Sequence, residues 1–234
     1  MSGHSKWSTI KRKKGVKDAA RGKLFSKLSR LISTAVREGG NIADPENNFK
    51  LRLAIERARS VNMPKETIDR AIEKGSAIQG DQTKEIIYEA FISDGITLLI
   101  EAITDNPNRT HSEVKKIIEN AGGKMGSQNS VSYQYDHCGL IIIDKTSLSQ
   151  EELLNLASRI QAIDIDEEEG SYLIYIPFKM LGKINEYLTG ITTKSIEGYY
   201  RPKNIVDNVK ESVFNLFETL EDLDDVARVF SNAG

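Results

Sequence analysis

The stretch that decides the fold is residues 139–200, GLIIIDKTSLSQEELLNLASRIQAIDIDEEEGSYLIYIPFKMLGKINEYLTGITTKSIEGYY. Gly139–Ile143 is a short apolar run with strand character, and Gln150–Ile160 carries its leucines at helical spacing. Ile163–Asp166 and Tyr172–Ile176 follow as strands around an acidic turn. Phe178–Leu188 reads as a helix and Lys194–Tyr199 as a last strand. The order βαββαβ is that of the ferredoxin-like unit.

Upstream, Ile86–Ile92 and Ile96–Ile103 are strand-like and are separated by Ser93-Asp94-Gly95, a hairpin signal. Thr110 with Glu113 predicts a capping box for a helix through Ala121, stopped by Gly122-Gly123. Ser130–Tyr135 predicts a third strand. This half is ββαβ and unfinished. The predicted helix Ile205–Leu220 and strand Val226–Phe230 would complete it, with the ferredoxin-like unit inserted between. The fold class is therefore α+β: a helical N-terminal domain (1–79), a discontinuous α+β domain (80–136 plus 202–234) and an inserted ferredoxin-like domain (137–201).

The helical domain is read from three segments. Leu24, Phe25, Leu28, Leu31, Ile32, Ala35 and Val36 fill one side of a helix, with Lys23, Lys27, Arg30 and Arg37 opposite, and Gly39-Gly40 ends it. Asp44-Pro45 announces a second helix that buries Leu51, Ile55 and Ala58 and leaves Arg52, Arg57 and Arg59 elsewhere on its surface. A third begins at Pro64, buries Ile68, Ala71 and Ile72, and ends at Gly75. Ser76–Lys84 reads as a linker.

The 234 residues carry 39% hydrophobic and 28% charged side chains, an ordinary globular balance that rules out wholesale disorder. No apolar run approaches the roughly 20 residues of a membrane-spanning helix. A single cysteine, Cys138, excludes an internal disulfide framework and fits a reducing compartment. The three histidines, His4, His111 and His137, are too scattered for a Cys/His zinc site.

The net charge of −2 hides an asymmetry. Residues 1–37 hold eleven basic side chains against one acid, Asp18; that is +10, leaving −12 on the remainder. Lys6, Lys11, Arg12, Lys13, Lys14 and Lys17 offer cations to phosphates, and Trp7 offers a flat face for stacking on a base. A solvated tail is the ordinary reading of a charge run. The density, the tryptophan and the continuation through Arg21, Lys23, Lys27 and Arg30 favour nucleic acid. An acidic membrane surface fits less well, because the arm has few bulky apolar anchors. No zinc finger, basic zipper or paired-aromatic RNA sheet is present, so phosphate contact is what the residues support.

Thr104-Asp105-Asn106-Pro107-Asn108-Arg109-Thr110 reads equally as a turn or as an anion site using Arg109 and the following helix N-terminus. Asp164, Asp166, Glu167, Glu168 and Glu169, and Asp222, Asp224 and Asp225, sit at predicted turns or element ends. Solvated charge describes them better than a metal-dependent hydrolase site. His137-Cys138 would point to opposite faces of a strand and so cannot act as a base–nucleophile pair. No phosphate-cradling loop or nucleophile elbow appears, and no catalytic residue, metal ligand, cofactor or small-molecule substrate is predicted.

Gly3-His4-Ser5-Lys6-Trp7, Ile10-Lys11, Asp18 and Arg21-Gly22-Lys23-Leu24-Phe25 resemble the opening of the YebC/PmpR family. So do Asn62-Met63-Pro64-Lys65, Arg70-Ala71-Ile72, Tyr88-Glu89, Thr104-Asp105-Asn106 with Asn108-Arg109-Thr110, and Leu223-Asp224-Asp225-Val226. The match runs through essentially the whole chain. The chain departs from it at Glu89-Ala90-Phe91-Ile92-Ser93, where the family tends to Glu-Gly-Tyr-Gly-Pro, and at Asn48-Phe49 in place of Asn-Pro.

The resemblance implies a helical domain followed by two ferredoxin-like α+β domains. It also implies a probable transcriptional regulator that binds DNA, with relatives that act as mitochondrial translational activators and links to ribosomes. By the same resemblance residues 1–37 belong to the mature protein rather than to a targeting presequence, and the location is cytoplasmic. The expected activity is non-enzymatic, with DNA or alternatively ribosomal RNA as partner, and with protein partners for the acidic domains.

Overall fold

The computed structural model describes residues 18–77 and 83–234. Helix α1 (Asp18–Glu38), α2 (Phe49–Ser60) and α3 (Lys65–Ser76) close on a core of Leu28, Ile32, Val36, Leu51, Ile55, Ala58, Ile68 and Ala71. Each leucine, isoleucine or valine among them contributes about 1.5–3 kcal/mol by leaving water. Two boundaries differ from the sequence reading. Asp44 does not cap α2; its carboxylate takes Glu46 N and the Asn47 side chain in a turn. The cap is buried Asn48, whose Oδ1 accepts Leu51 N at 3.1 Å while Nδ2 donates to Ala35 O and Ile42 O. Gly75 does not end α3 either. It lies inside the helix where an added Cβ would sit 2.7 Å from Ser33 O, so α1 and α3 touch backbone to backbone.

The chain then forms β1 (Lys84–Phe91), β2 (Thr97–Thr104), α4 (Pro107–Asn120) and a two-residue β3 (Lys124–Met125). The hairpin pairs Lys84 with Thr104 and Phe91 with Thr97, and Asp94 and Gly95 turn it at φ 62 and 80. Strand β4 (Tyr135–Asp144), helix α5 (Gln150–Arg159), β5 (Asp164–Glu168), β6 (Ser171–Pro177), a run of 3₁₀ turns (Phe178–Glu186) and β7 (Thr193–Pro202) follow. Helix α6 (Glu211–Glu221) and β8 (Val226–Ser231) close the chain.

Two antiparallel four-stranded sheets result, ordered β3-β1-β2-β8 and β5-β6-β4-β7. All strands of the second sheet fall in sequence between β3 and β8, so the second α+β unit is inserted in the first. Both units stack two helical segments on one sheet face. The connectivity is βαββαβ in the inserted unit and ββαβαβ in the outer one.

The sheets pack against each other through Leu99, Val131, Tyr135, Leu140, Ile142, Leu173, Tyr175, Tyr199 and Phe230. Strand β2 therefore alternates between two buried faces: Leu98, Ile100 and Ala102 pack on α4 and α6, and Leu99 faces the other sheet. Behind the second sheet, α5 and the 3₁₀ run complete the layers.

Three further expectations are corrected. Ser130–Tyr135 is not a strand up to Gln134, because the Glu89 carboxylate collects the N–H groups of Asn129, Val131 and Ser132 and holds the segment in turns. Phe178–Leu188 is 3₁₀ rather than α-helical; its inward residues Phe178, Leu181 and Ile184 recur every third position, the 3₁₀ period. Helix α6 starts at Glu211 rather than Ile205, since Val206 bridges Ala233 and accepts Gly234 N at 2.8 Å.

Candidate nucleic-acid interface

The arm residues Lys6, Trp7, Lys11, Arg12, Lys13, Lys14 and Lys17 lie outside the described residues. Arg21, Lys23, Lys27 and Arg30 lie on α1. The last three fall at i, i+4 and i+7, which places their side chains in one stripe. That stripe meets the end of α6 and the loop after it.

Lys23 donates to Asp222 O and stands 3.6 Å from Asp224 Oδ1. Lys27 donates to Glu221 O and, at 2.8 Å, to Val226 O. Arg30 reaches Asp225 Oδ1 at 2.8 Å and Asp224 O at 2.6 Å. The acceptors cluster because α6 ends there, leaving last-turn carbonyls without helical donors and a negative dipole end.

Arg109 joins the same carboxylate from the opposite side. Its guanidinium is 2.8 Å from Asp225 Oδ2 and 2.9 Å from Asp105 Oδ1. The helix cap is Asn106, whose Oδ1 accepts Arg109 N at 3.1 Å, with Pro107 in the first turn. Thr110 is thus freed from the predicted capping role. Its hydroxyl lies 2.7 Å from Asp225 Oδ2, and that of Thr104 lies 3.0 Å from the same oxygen.

Burial alone would raise the Asp225 pKa; hydrogen bonds from Arg109, Thr110 and Thr104 outweigh it and hold the carboxyl below its ordinary value. The same contacts raise the Arg109 pKa. Between these groups is an open cleft of about 430 Å³, lined by Lys23, Arg30, Arg109, Glu113, Asp222 and Asp224 among others.

The structure thus brings two separate sequence candidates together, the basic face of α1 and the Asp222–Asp225 acids. Asp225 is not solvated charge but an 8% exposed side chain with four donors around it. In the other acidic cluster, Asp164–Glu168 forms edge strand β5. There Asp164 pairs with Arg201, and Glu167 lies 2.7 Å from Lys145. His137 stacks between Phe178 and Tyr200, with centroids at 3.9 and 4.6 Å. Cys138 points the other way into the inter-sheet core, where burial pushes its thiol up to about 12.

A second ionic cluster escaped the sequence reading. Arg57, assigned to a helix surface, is partly buried, 3.9 Å from Glu101 Oε2, and donates to Ala227 O. Arg228 is 2.7 Å from Glu101 and 3.0 Å from Glu197. This ties α2, β2, β7 and β8 together. The available signal was Glu101 inside the apolar run Leu98–Ile103, a charge that needs a buried partner. Nearby Glu85 is pushed up to about 7 by burial and by the Glu101 charge, against the pull of Lys50.

A helical bundle joined to a sheet-on-sheet α+β body, with a cation-lined helix face at their junction, defines a three-part nested α+β architecture. The chain belongs to the TACO1/YebC family. Its residues 5–78 match the model of the family's N-terminal domain, and residues 83–233 match that of its second and third domains.

It is 43% identical over 240 residues to a "Probable transcriptional regulatory protein" of Chloroflexus aurantiacus, covering 99% of this chain and 95% of the relative. A protein of the same name from Finegoldia magna is 40% identical over 240 residues, covering 99% and 98%. The crystal structure of a conserved hypothetical protein from Aquifex aeolicus superposes with a TM-score of 0.82 at 39% identity, covering 94% of this chain and 93% of that one. No helix among the described residues is long and apolar enough to cross a membrane.

Proposed function

We propose that this chain is a non-enzymatic, cytoplasmic, nucleic-acid-binding regulator that acts on DNA in transcription. The observation that carries the reading is the charge segregation, +10 over residues 1–37 against −12 elsewhere. A duplex presents one negative charge per roughly 1.7 Å of axis, and a dense run of cations meets it by releasing counterions. Lys6, Lys11, Arg12, Lys13, Lys14 and Lys17 make the first phosphate contacts, and Trp7 stacks or wedges. Arg21, Lys23, Lys27 and Arg30 extend the track along α1. The regulatory names of relatives at about 40% identity support the same reading.

Arg109 serves in this scheme as a brace for Asp225, with an anion contact at the cleft as its second role. The acidic α+β body limits spreading over a polyanion and offers its surface to protein partners. The test is charge reversal of Lys11, Arg12 and Lys13 to glutamate, with duplex binding followed by fluorescence anisotropy. Binding is abolished if the arm carries it, and unchanged affinity sinks the assignment.

A further inference from the structure

The basic face of α1 is already occupied, and its occupant has the chemistry of a phosphate backbone. The loop at the end of α6 presents the carboxylates of Asp224 and Asp225 together with the carbonyl oxygens of Glu221, Asp222, Asp224 and Val226. Lys27 is held there by two main-chain carbonyls, and Lys23 by one carbonyl and a carboxylate at 3.6 Å. A charged phosphate oxygen is a stronger acceptor for an ammonium group than a neutral carbonyl.

Releasing Arg30 also leaves no buried charge alone, because Asp225 keeps Arg109, Thr104 and Thr110.

The rest of the junction has an uneven character. The helical core and the core of the outer α+β unit are separate clusters. Apolar contact is made at the other end, where Phe49 and Leu53 of α2 pack on the core of the inserted unit. The Phe49 ring stands edge-on to Phe178 at 5.8 Å, and Arg52 donates to Gly182 O at 2.8 Å. Between the two ends the contacts are polar, through the ion pairs of Arg57 with Glu101 and Lys50 with Glu85 and the hydrogen bonds of Thr34 and Arg37 to Thr83. One end is thus anchored by apolar burial and the other by charge.

Building on the nucleic-acid reading above, we propose that the 222–226 loop is an autoinhibitory latch on α1. A nucleic-acid phosphate backbone displaces the loop from Lys23, Lys27 and Arg30, and the helical domain turns about its Phe49–Leu53 contact. In the free protein the α1 part of the basic track is therefore covered, and it opens only on the polyanion. The latch sets a threshold: short or weakly charged polyanions meet the arm without opening α1.

The experiment uses the full chain with spin labels at Ser26→Cys on α1 and Ser112→Cys on α4, both exposed positions, while Cys138 is buried and escapes labelling. Pulsed dipolar distances are recorded free and with saturating duplex DNA, and binding is verified separately by anisotropy. The distance distribution moves outward by about 5 Å or more, one helical turn, and raised salt moves it partly the same way.

In unlabelled protein, Asp224→Asn, which removes the carboxylate 3.6 Å from Lys23, tightens duplex binding roughly two- to fivefold, the value of an exposed ion pair, relative to the charge-matched Glu151→Gln on α5. An unchanged distance in duplex-saturated protein overturns the latch while sparing the nucleic-acid reading, as do equal affinities of Asp224→Asn and Glu151→Gln. Absence of duplex binding overturns both.

Discussion

Replacing Asp225 with alanine tests the junction where the basic helix, α4 and the end of α6 meet. The carboxylate is 8% exposed and is approached by Arg30 and Arg109 at 2.8 Å and by the hydroxyls of Thr110 and Thr104 at 2.7 and 3.0 Å. Removing it orphans these donors unequally. The guanidinium side chains are 30% and 46% exposed and recover water, so the Arg30 pair accounts for about 0.5–1 kcal/mol and the more exposed Arg109 is left to solvent.

The two hydroxyls are buried, lie 2.8 Å apart, and have Asn106 O 3.2 Å from Thr110 Oγ1, so both re-pair with neutral acceptors, and what is lost is their bonding to a charged one, about 1–3 kcal/mol together. The sum is a loss of roughly 1.5–4 kcal/mol. Asp225→Asn keeps one acceptor oxygen, turns an amide toward a guanidinium, and falls in the lower half of that range.

Urea unfolding followed by circular dichroism at pH 7 reads the loss as a lower midpoint at constant slope. The pH dependence supplies the sign. The folded pKa of Asp225 lies below its unfolded value of about 3.9. Its contribution is therefore fully present above that value and is lost as pH falls through the folded one. Wild type and Asp225→Ala converge in acid. A loss below about 0.5 kcal/mol at pH 7, within the range of ordinary surface substitutions, or a gap that does not narrow in acid, refutes the bracing argument.

Glu85 behaves in the opposite sense. Its folded pKa, raised to about 7, makes the proton a stabilising ligand, so its contribution is complete below the ordinary carboxylate value and is lost as pH rises through 7. Between pH 5 and 8 the wild type should lose roughly 1 kcal/mol relative to Glu85→Gln, a figure reduced for the exposure of the site; parallel pH profiles for the two proteins contradict it. Gly75→Ala places a Cβ 2.7 Å from the main chain at Ser33 and should cost about 1–3 kcal/mol despite alanine's better helix propensity, read by thermal melting. An unchanged or raised melting temperature would show that α1 and α3 separate easily.

The central strands were legible because they are short apolar runs bounded by turn residues, as at Gly139–Ile143 and Ile96–Ile103. The hairpin at Ser93–Gly95 and the βαββαβ order of residues 139–200 follow from local pattern alone. Errors fell where a group from elsewhere in the chain, side chain or backbone, overrides the local signal. Glu89 recruits three amides and unmakes a predicted strand; Val206 takes Ala233 and shortens a predicted helix.

The cap of α4 was misplaced because Thr110, a good cap in isolation, is engaged by Asp225 from 115 residues away. The charge of the α1 face was readable, but its partner was not, since nothing local to Lys23, Lys27 or Arg30 points to residues 222–226. Arg57 was misread for the same reason: a cation on an amphipathic helix looks solvated until Glu101 closes over it.

The central claim is that the basic arm and α1 serve DNA. The most direct measurement is competition of the intact protein between duplex DNA and intact ribosomes, titrated across salt. The account predicts DNA retained at physiological salt with a sequence preference. Retention on ribosomes, with DNA lost steeply as salt rises, would make duplex binding a by-product of charge and contradict it.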